Sequence, residues 1–111
     1  MHYKLIVTDR AGELVDECVN HLVNRLKNQQ AAVHLLDGID SLYDRLEENP
    51  FQFADCRDPF LKSKEYKEAI ISDMDYIMIF RIEENVVYVA GFFHQRENYK
   101  IKLQEPETAM T

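Results

Sequence analysis

Apolar residues in the first half of the chain recur at three- and four-residue spacing, whereas those in the second half come in short runs broken by acidic turns. Tyr3 to Thr8 (YKLIVT) is β-branched and aliphatic, is bounded by Asp9, and predicts a first strand. Thr8 or Asp9 can then cap a helix, with Glu13 placed favourably for its dipole. Leu14, Val15, Cys18, Val19, Leu22, Val23 and Leu26 fall on one face of that helix. The polar run Lys27-Asn28-Gln29-Gln30 breaks the pattern. A second helix follows, with Ala32, Leu35, Leu36, Ile39, Leu42, Tyr43 and Leu46 on its inner face. Gly38 sits inside it at a cost of about 1 kcal/mol relative to alanine. Close approach of the two helices is one reason for that glycine, and a tolerated accident is the other. The helix ends before Asn49-Pro50, because a proline disfavours helical backbone in the residue before it. Two amphipathic helices joined so briefly are expected to pack as an antiparallel hairpin.

From Phe51 to Lys64 prolines and mixed charges predict an irregular loop. Three strands follow, over Tyr66–Ile71, Tyr76–Ile82 and Val86–Phe93. Ser72-Asp73-Met74-Asp75 and Glu83-Glu84-Asn85 are the turns, and Asp73 and Asp75 are read as turn formers. The last two strands are apolar almost throughout, which places them centrally with both faces partly covered. The resulting order is β-α-α-β-β-β. It implies an α+β fold, with a twisted, mainly antiparallel sheet and the N-terminal helical hairpin packed on one face. The first strand belongs at the sheet's edge or beside the last strand. Residues 1–103 form a single domain on this reading, and residues 104–111, with little to bury, form a frayed tail.

At 111 residues one modest core is available. No apolar run approaches the roughly 20 residues that span a bilayer, and the N-terminus lacks a signal peptide's apolar region and cleavage site. A cytoplasmic protein with no membrane association is therefore expected. Cys18 lies on the apolar stripe of the first helix and Cys56 in a loop beside Arg57, which makes neither a disulfide framework nor a metal site. His2, His21 and His34 are expected at the surface, no metal-ligand spacing occurs, and no cofactor is expected.

The net charge of −7 argues against a protein that grips phosphates through its whole surface. The acid is uneven, however. Up to Cys56 acids clearly outnumber Lys4, Arg10, Arg25, Lys27 and Arg45, whereas from Arg57 to Leu103 the two signs balance. Any anion-binding surface must be built locally from the second half.

Tyr66 to Tyr99 reads YKEAIISDMDYIMIFRIEENVVYVAGFFHQRENY: a β-meander ending in an apolar pair, then His94, Gln95 and Arg96. This resembles the C-terminal half of the RelE/ParE superfamily, the small toxins of bacterial type II toxin–antitoxin modules, also known as plasmid stabilisation proteins. The element order agrees, so the resemblance covers nearly the whole chain. Catalytic members cleave messenger RNA on the ribosome. The resemblance then implies Arg81 and Arg96 as phosphate ligands, since a planar fork bonds two oxygens at once. It implies His94 or Tyr99 as the proton carrier. Lys62, Lys64 and Lys67 stand where the family has basic residues, as target- or phosphate-binding groups.

The ending Phe92-Phe93-His94-Gln95-Arg96-Glu97-Asn98 is closer to the ParE branch, whose pattern is an apolar pair, His-Gly-Arg-Arg and an acid. Gln95 replaces the glycine and Glu97 the second arginine. ParE toxins inhibit DNA gyrase and are not nucleases, and an acidic chain suits a protein target better than RNA. The resemblance thus implies a growth inhibitor neutralised in a hetero-oligomer by a small cognate antitoxin. DNA gyrase is the favoured target, and ribosome-bound messenger RNA is the alternative. A weakened toxin, or a non-toxic binding module of the same architecture, is the third reading. Each candidate residue also has a plainer role. Arg81 can pair with Glu83 or Glu68, His94 can be a strand-end rim residue, Tyr99 can cover the sheet's end, and the three lysines can be a solvated strand entrance.

Overall fold

The computed structural model describes residues 2–71 and 75–94. The turn residues 72–74 and everything from Gln95 onward, including Arg96, Tyr99 and the expected tail, lie outside the described residues. Strand β1 (Lys4–Val7) leads into helix α1 (Asp9–Asn20), a π turn (His21–Arg25) and helix α2 (Gln29–Glu48). A 3₁₀ turn (Pro50–Gln52), strand β2 (Ala54–Asp55) and helix α3 (Pro59–Ser63) precede the meander β3 (Tyr66–Ile71), β4 (Tyr76–Glu83) and β5 (Val86–His94). The α+β class and the predicted order are observed, and the sheet has five strands in the order β1-β5-β4-β3-β2.

Both placements expected for the first strand hold together. β1 is an edge strand and pairs in parallel with β5, Lys4 opposite Val86 and Val7 opposite Val89. The other pairings are antiparallel. Thr8 makes the join from strand to helix. Its hydroxyl accepts from the Ala11 N–H (3.2 Å) as the N-cap and donates to the Val89 carbonyl (2.9 Å).

Residues 51–64 are not an irregular loop, which corrects the sequence reading. Asp58 caps α3 by accepting from the Phe60 and Leu61 N–H groups, and Pro59 occupies the first helical turn, where a missing N–H costs nothing. β2 is two residues long, too short to show alternation in sequence, and pairs Ala54 with Glu68 and Asp55 with Lys67.

The helices depart from their predicted stripes in two places, Leu26 and Leu36. The π turn closes with the Leu26 N–H donating to the His21 carbonyl (3.1 Å), one residue wider than an α turn. That extra residue rotates Leu26 off the apolar face, and it stands 57% exposed. Leu36 is exposed as well, whereas Cys18 packs half-buried against the core like Val15, Val19 and Val23 beside it on the stripe. The core itself is built from Leu35, Ile39, Leu42 and Leu46 of α2, Ala11 and Leu14 of α1, and the sheet residues Ile77 to Phe80, Val87, Val89, Phe92 and Phe93. Gly38 has a different partner from the one expected. A Cβ there would lie 3.0 Å from Ile71 Cγ2, so the close approach is between α2 and β3.

Candidate functional site

Residues paired directly across neighbouring strands share one face of a sheet. Ile71 therefore marks the face covered by α2, together with its partner Tyr76 and, one strand further, His94. Phe80 lies on the same face, edge-on to Phe53, whose ring carries the Arg45 guanidinium of α2. Arg81, next along β4, points the other way.

On that opposite face Arg81 stands in a row across three strands, between Tyr66 of β3 and Tyr88 of β5. Its guanidinium lies over the Tyr88 ring at 4.9 Å and donates through Nη1 to Glu83 Oε2 at 2.7 Å. This is one of the two plain partners expected for it. The other, Glu68, pairs instead with Arg57. The hydrogen bond to Glu83 pushes the Arg81 pKa up, ahead of a smaller opposing effect of burial, so the charge is permanent.

His94 ends β5 opposite Tyr76, edge-on to its ring with centroids 5.4 Å apart, and Tyr76 in turn stacks on Phe92. An uninterrupted period of two would put Tyr88, Ala90, Phe92 and His94 on one face. The register shifts between Ile79 and Phe80, which face Gly91 and Val89, so Ala90 is an extra residue in β5. Such a bulge reverses the face of everything beyond it. His94 consequently lies on the α2 face and Arg81 on the opposite one. Their row positions, Tyr76 and Arg81 of β4, are roughly 16 Å apart at 3.3 Å per residue. Arg81 and His94, which the resemblance implies as phosphate ligand and proton carrier of one reaction, are therefore not brought together.

The three lysines occupy two elements. Lys62 lies in the last turn of α3, and Lys64 caps that helix with its ammonium 5.7 Å from the Phe60 ring centre. Lys67 is on β3, donates to Asp55 Oδ1 (2.9 Å) and sits over the exposed Phe51 ring. The bond from Lys67 holds the Asp55 carboxyl below its usual range. Lys62 and Lys67 share a cleft of about 350 Å³ with Asp55, Glu65 and Glu84. The acids outnumber the lysines there, so the cleft is a poor anion site. Sequence reasoning missed Tyr66 and Tyr88 as the flanks of Arg81, because only strand register makes them neighbours.

Taken together, a five-stranded sheet packed by N-terminal helices, with an oriented arginine on one face and a histidine ending a central strand on the other, defines a small α+β protein. The family model described as the ParE toxin of the type II toxin–antitoxin system parDE matches residues 5–99, and the chain belongs to that family. In solved structures the fold recurs in the chromosomal ParDE toxin–antitoxin system from P. aeruginosa, with a TM-score of 0.67 and 16% identity. That match covers 84% of this chain and 96% of the other. No curated protein matches the sequence at a significant level. Among the described residues no helix is long and apolar enough to cross a membrane.

Proposed function

We propose that this ParE toxin is a growth inhibitor that acts by binding a protein, DNA gyrase, in the cytoplasm, and that a small antitoxin encoded beside it neutralises it in a toxin–antitoxin complex. The observation that carries this reading is the placement of Arg81 and His94 on opposite faces of the sheet. Phosphoryl chemistry needs a charge-stabilising group and a proton carrier around one reacting centre. These two side chains cannot serve one centre together. The net charge of −7 supports the same reading, because it opposes a sequence-independent grip on RNA.

The test is pulse labelling after tight induction in a bacterial host, following thymidine and leucine incorporation together, with a supercoiling assay on purified gyrase. Thymidine incorporation is expected to fall first, with supercoiling inhibited in proportion to added toxin. A prior fall in leucine incorporation with intact supercoiling would overturn the reading in favour of ribosome-dependent RNA cleavage.

A further inference from the structure

The row Tyr66–Arg81–Tyr88 has features that neither the fold nor the core requires. Arg81 is half-exposed, its ring contact with Tyr88 fixes its plane, and its one hydrogen bond among the described residues uses a single N–H of the five it carries. Both flanking tyrosines are half-buried, presenting ring surface beside the cation. Tyrosine and arginine held in this way are the residues that dominate protein–protein interfaces, because little conformational freedom remains to be lost on binding.

The charge distribution says what kind of partner fits. α1 carries four acids to one arginine, and α2 five acids to one arginine. A carboxylate-bearing segment is repelled by both helices. On the sheet face turned away from α2 it meets Arg81, whose fork accommodates two carboxylate oxygens at once. Glu83, two residues on along β4, occupies that fork through one oxygen only, and its side chain is 58% exposed.

We infer that Arg81 is the anchor for a carboxylate of the antitoxin, with apolar neighbours of that carboxylate resting on Tyr66 and Tyr88, and that Glu83 is an internal competitor holding the anchor until the antitoxin displaces it. The inference rests on the toxin–antitoxin reading and deepens it. It reverses the expected effect of the two members of one ion pair. Were the Arg81–Glu83 pair merely structural, removing either partner would weaken the complex or leave it unchanged.

The experiment is titration calorimetry of the full chain against the antitoxin expressed from the adjacent reading frame. Arg81→Ala is expected to raise Kd at least tenfold, and Glu83→Gln to lower it several-fold. Arg25→Glu, on the exposed π turn, serves as a charge control and leaves Kd within twofold. Arg81→Glu is expected to be rescued by replacing one antitoxin acid with lysine, which also excludes misfolding as the cause. A tight wild-type complex indifferent to Arg81→Ala, or weakened by Glu83→Gln, overturns this inference alone. Absence of any complex with the wild-type chain overturns the antitoxin reading and the anchor with it.

Discussion

Glu68 of β3 meets Arg57 twice: Oε1 accepts from the Arg57 backbone N–H at 3.0 Å, and Oε2 lies 3.2 Å from Arg57 Nε. Among the described residues Glu68 is the one buried charged side chain, whereas the Arg57 side chain is 68% exposed. The contact ties the segment ahead of α3 to the sheet. The backbone bond carries more weight than the ion pair, because the guanidinium is screened by solvent.

Substitutions on either side of this contact should therefore differ. Glu68→Ala leaves the Arg57 N–H without its acceptor and is expected to cost about 1–3 kcal/mol. Arg57→Ala keeps the backbone bond and should cost less than about 1 kcal/mol. Urea midpoints of the two variants check this, and equal losses would show that the ion pair dominates.

Gly38 and Ile71 oppose two effects of similar size. Alanine at position 38 gains about 1 kcal/mol of helix propensity. Its Cβ, however, would stand 3.0 Å from the Cγ2 of a buried, β-branched side chain, and overpacking of that kind typically costs about 1–3 kcal/mol. Gly38→Ala is expected to be net destabilising in the wild-type chain and stabilising in an Ile71→Ala background. A double-mutant cycle by thermal unfolding gives the coupling directly.

Thr8 uses one hydroxyl for two bonds, accepting from Ala11 N–H and donating to the Val89 carbonyl. Thr8→Ala is expected to cost about 1–2 kcal/mol, as at other threonine caps. Thr8→Ser, which keeps the oxygen, should cost well under half of that. Hydrogen exchange at the first turn of α1 reads the loss of the cap separately from global stability.

Burial, reinforced by Glu68, Asp58 and Asp55, pushes the Cys56 thiol up from an ordinary 9.0 to about 12. The native state therefore prefers the protonated thiol. Its contribution to stability is complete below about pH 9 and is lost as the pH rises from there towards 12. At pH 8 an aromatic disulfide reagent should leave Cys56 unmodified until the protein unfolds. Rapid labelling of Cys56 in the native protein, resolved from Cys18 by peptide mapping, would contradict this placement.

Much of the architecture follows from local patterning. Three- and four-residue spacing places Leu35, Ile39, Leu42 and Leu46 in the core, and short apolar runs bounded by acidic turns produce β3, β4 and β5. Asp58-Pro59 was a legible helix start that the mixed charge around it obscured. Candidate chemistry was legible only as residue types. Whether Arg81 and His94 cooperate depends on one unpaired residue, Ala90, whose insertion turns the end of β5 over. The chain's own periodicity does not signal that bulge, because Val89 to Phe93 contains no polar residue to mark a face, and Gly91, Phe92 and Phe93 are all buried. Local sequence thus determined the elements and their order. Cross-strand register, a property of two strands at once, decided which side chains share a face and so what the protein's surface can bind.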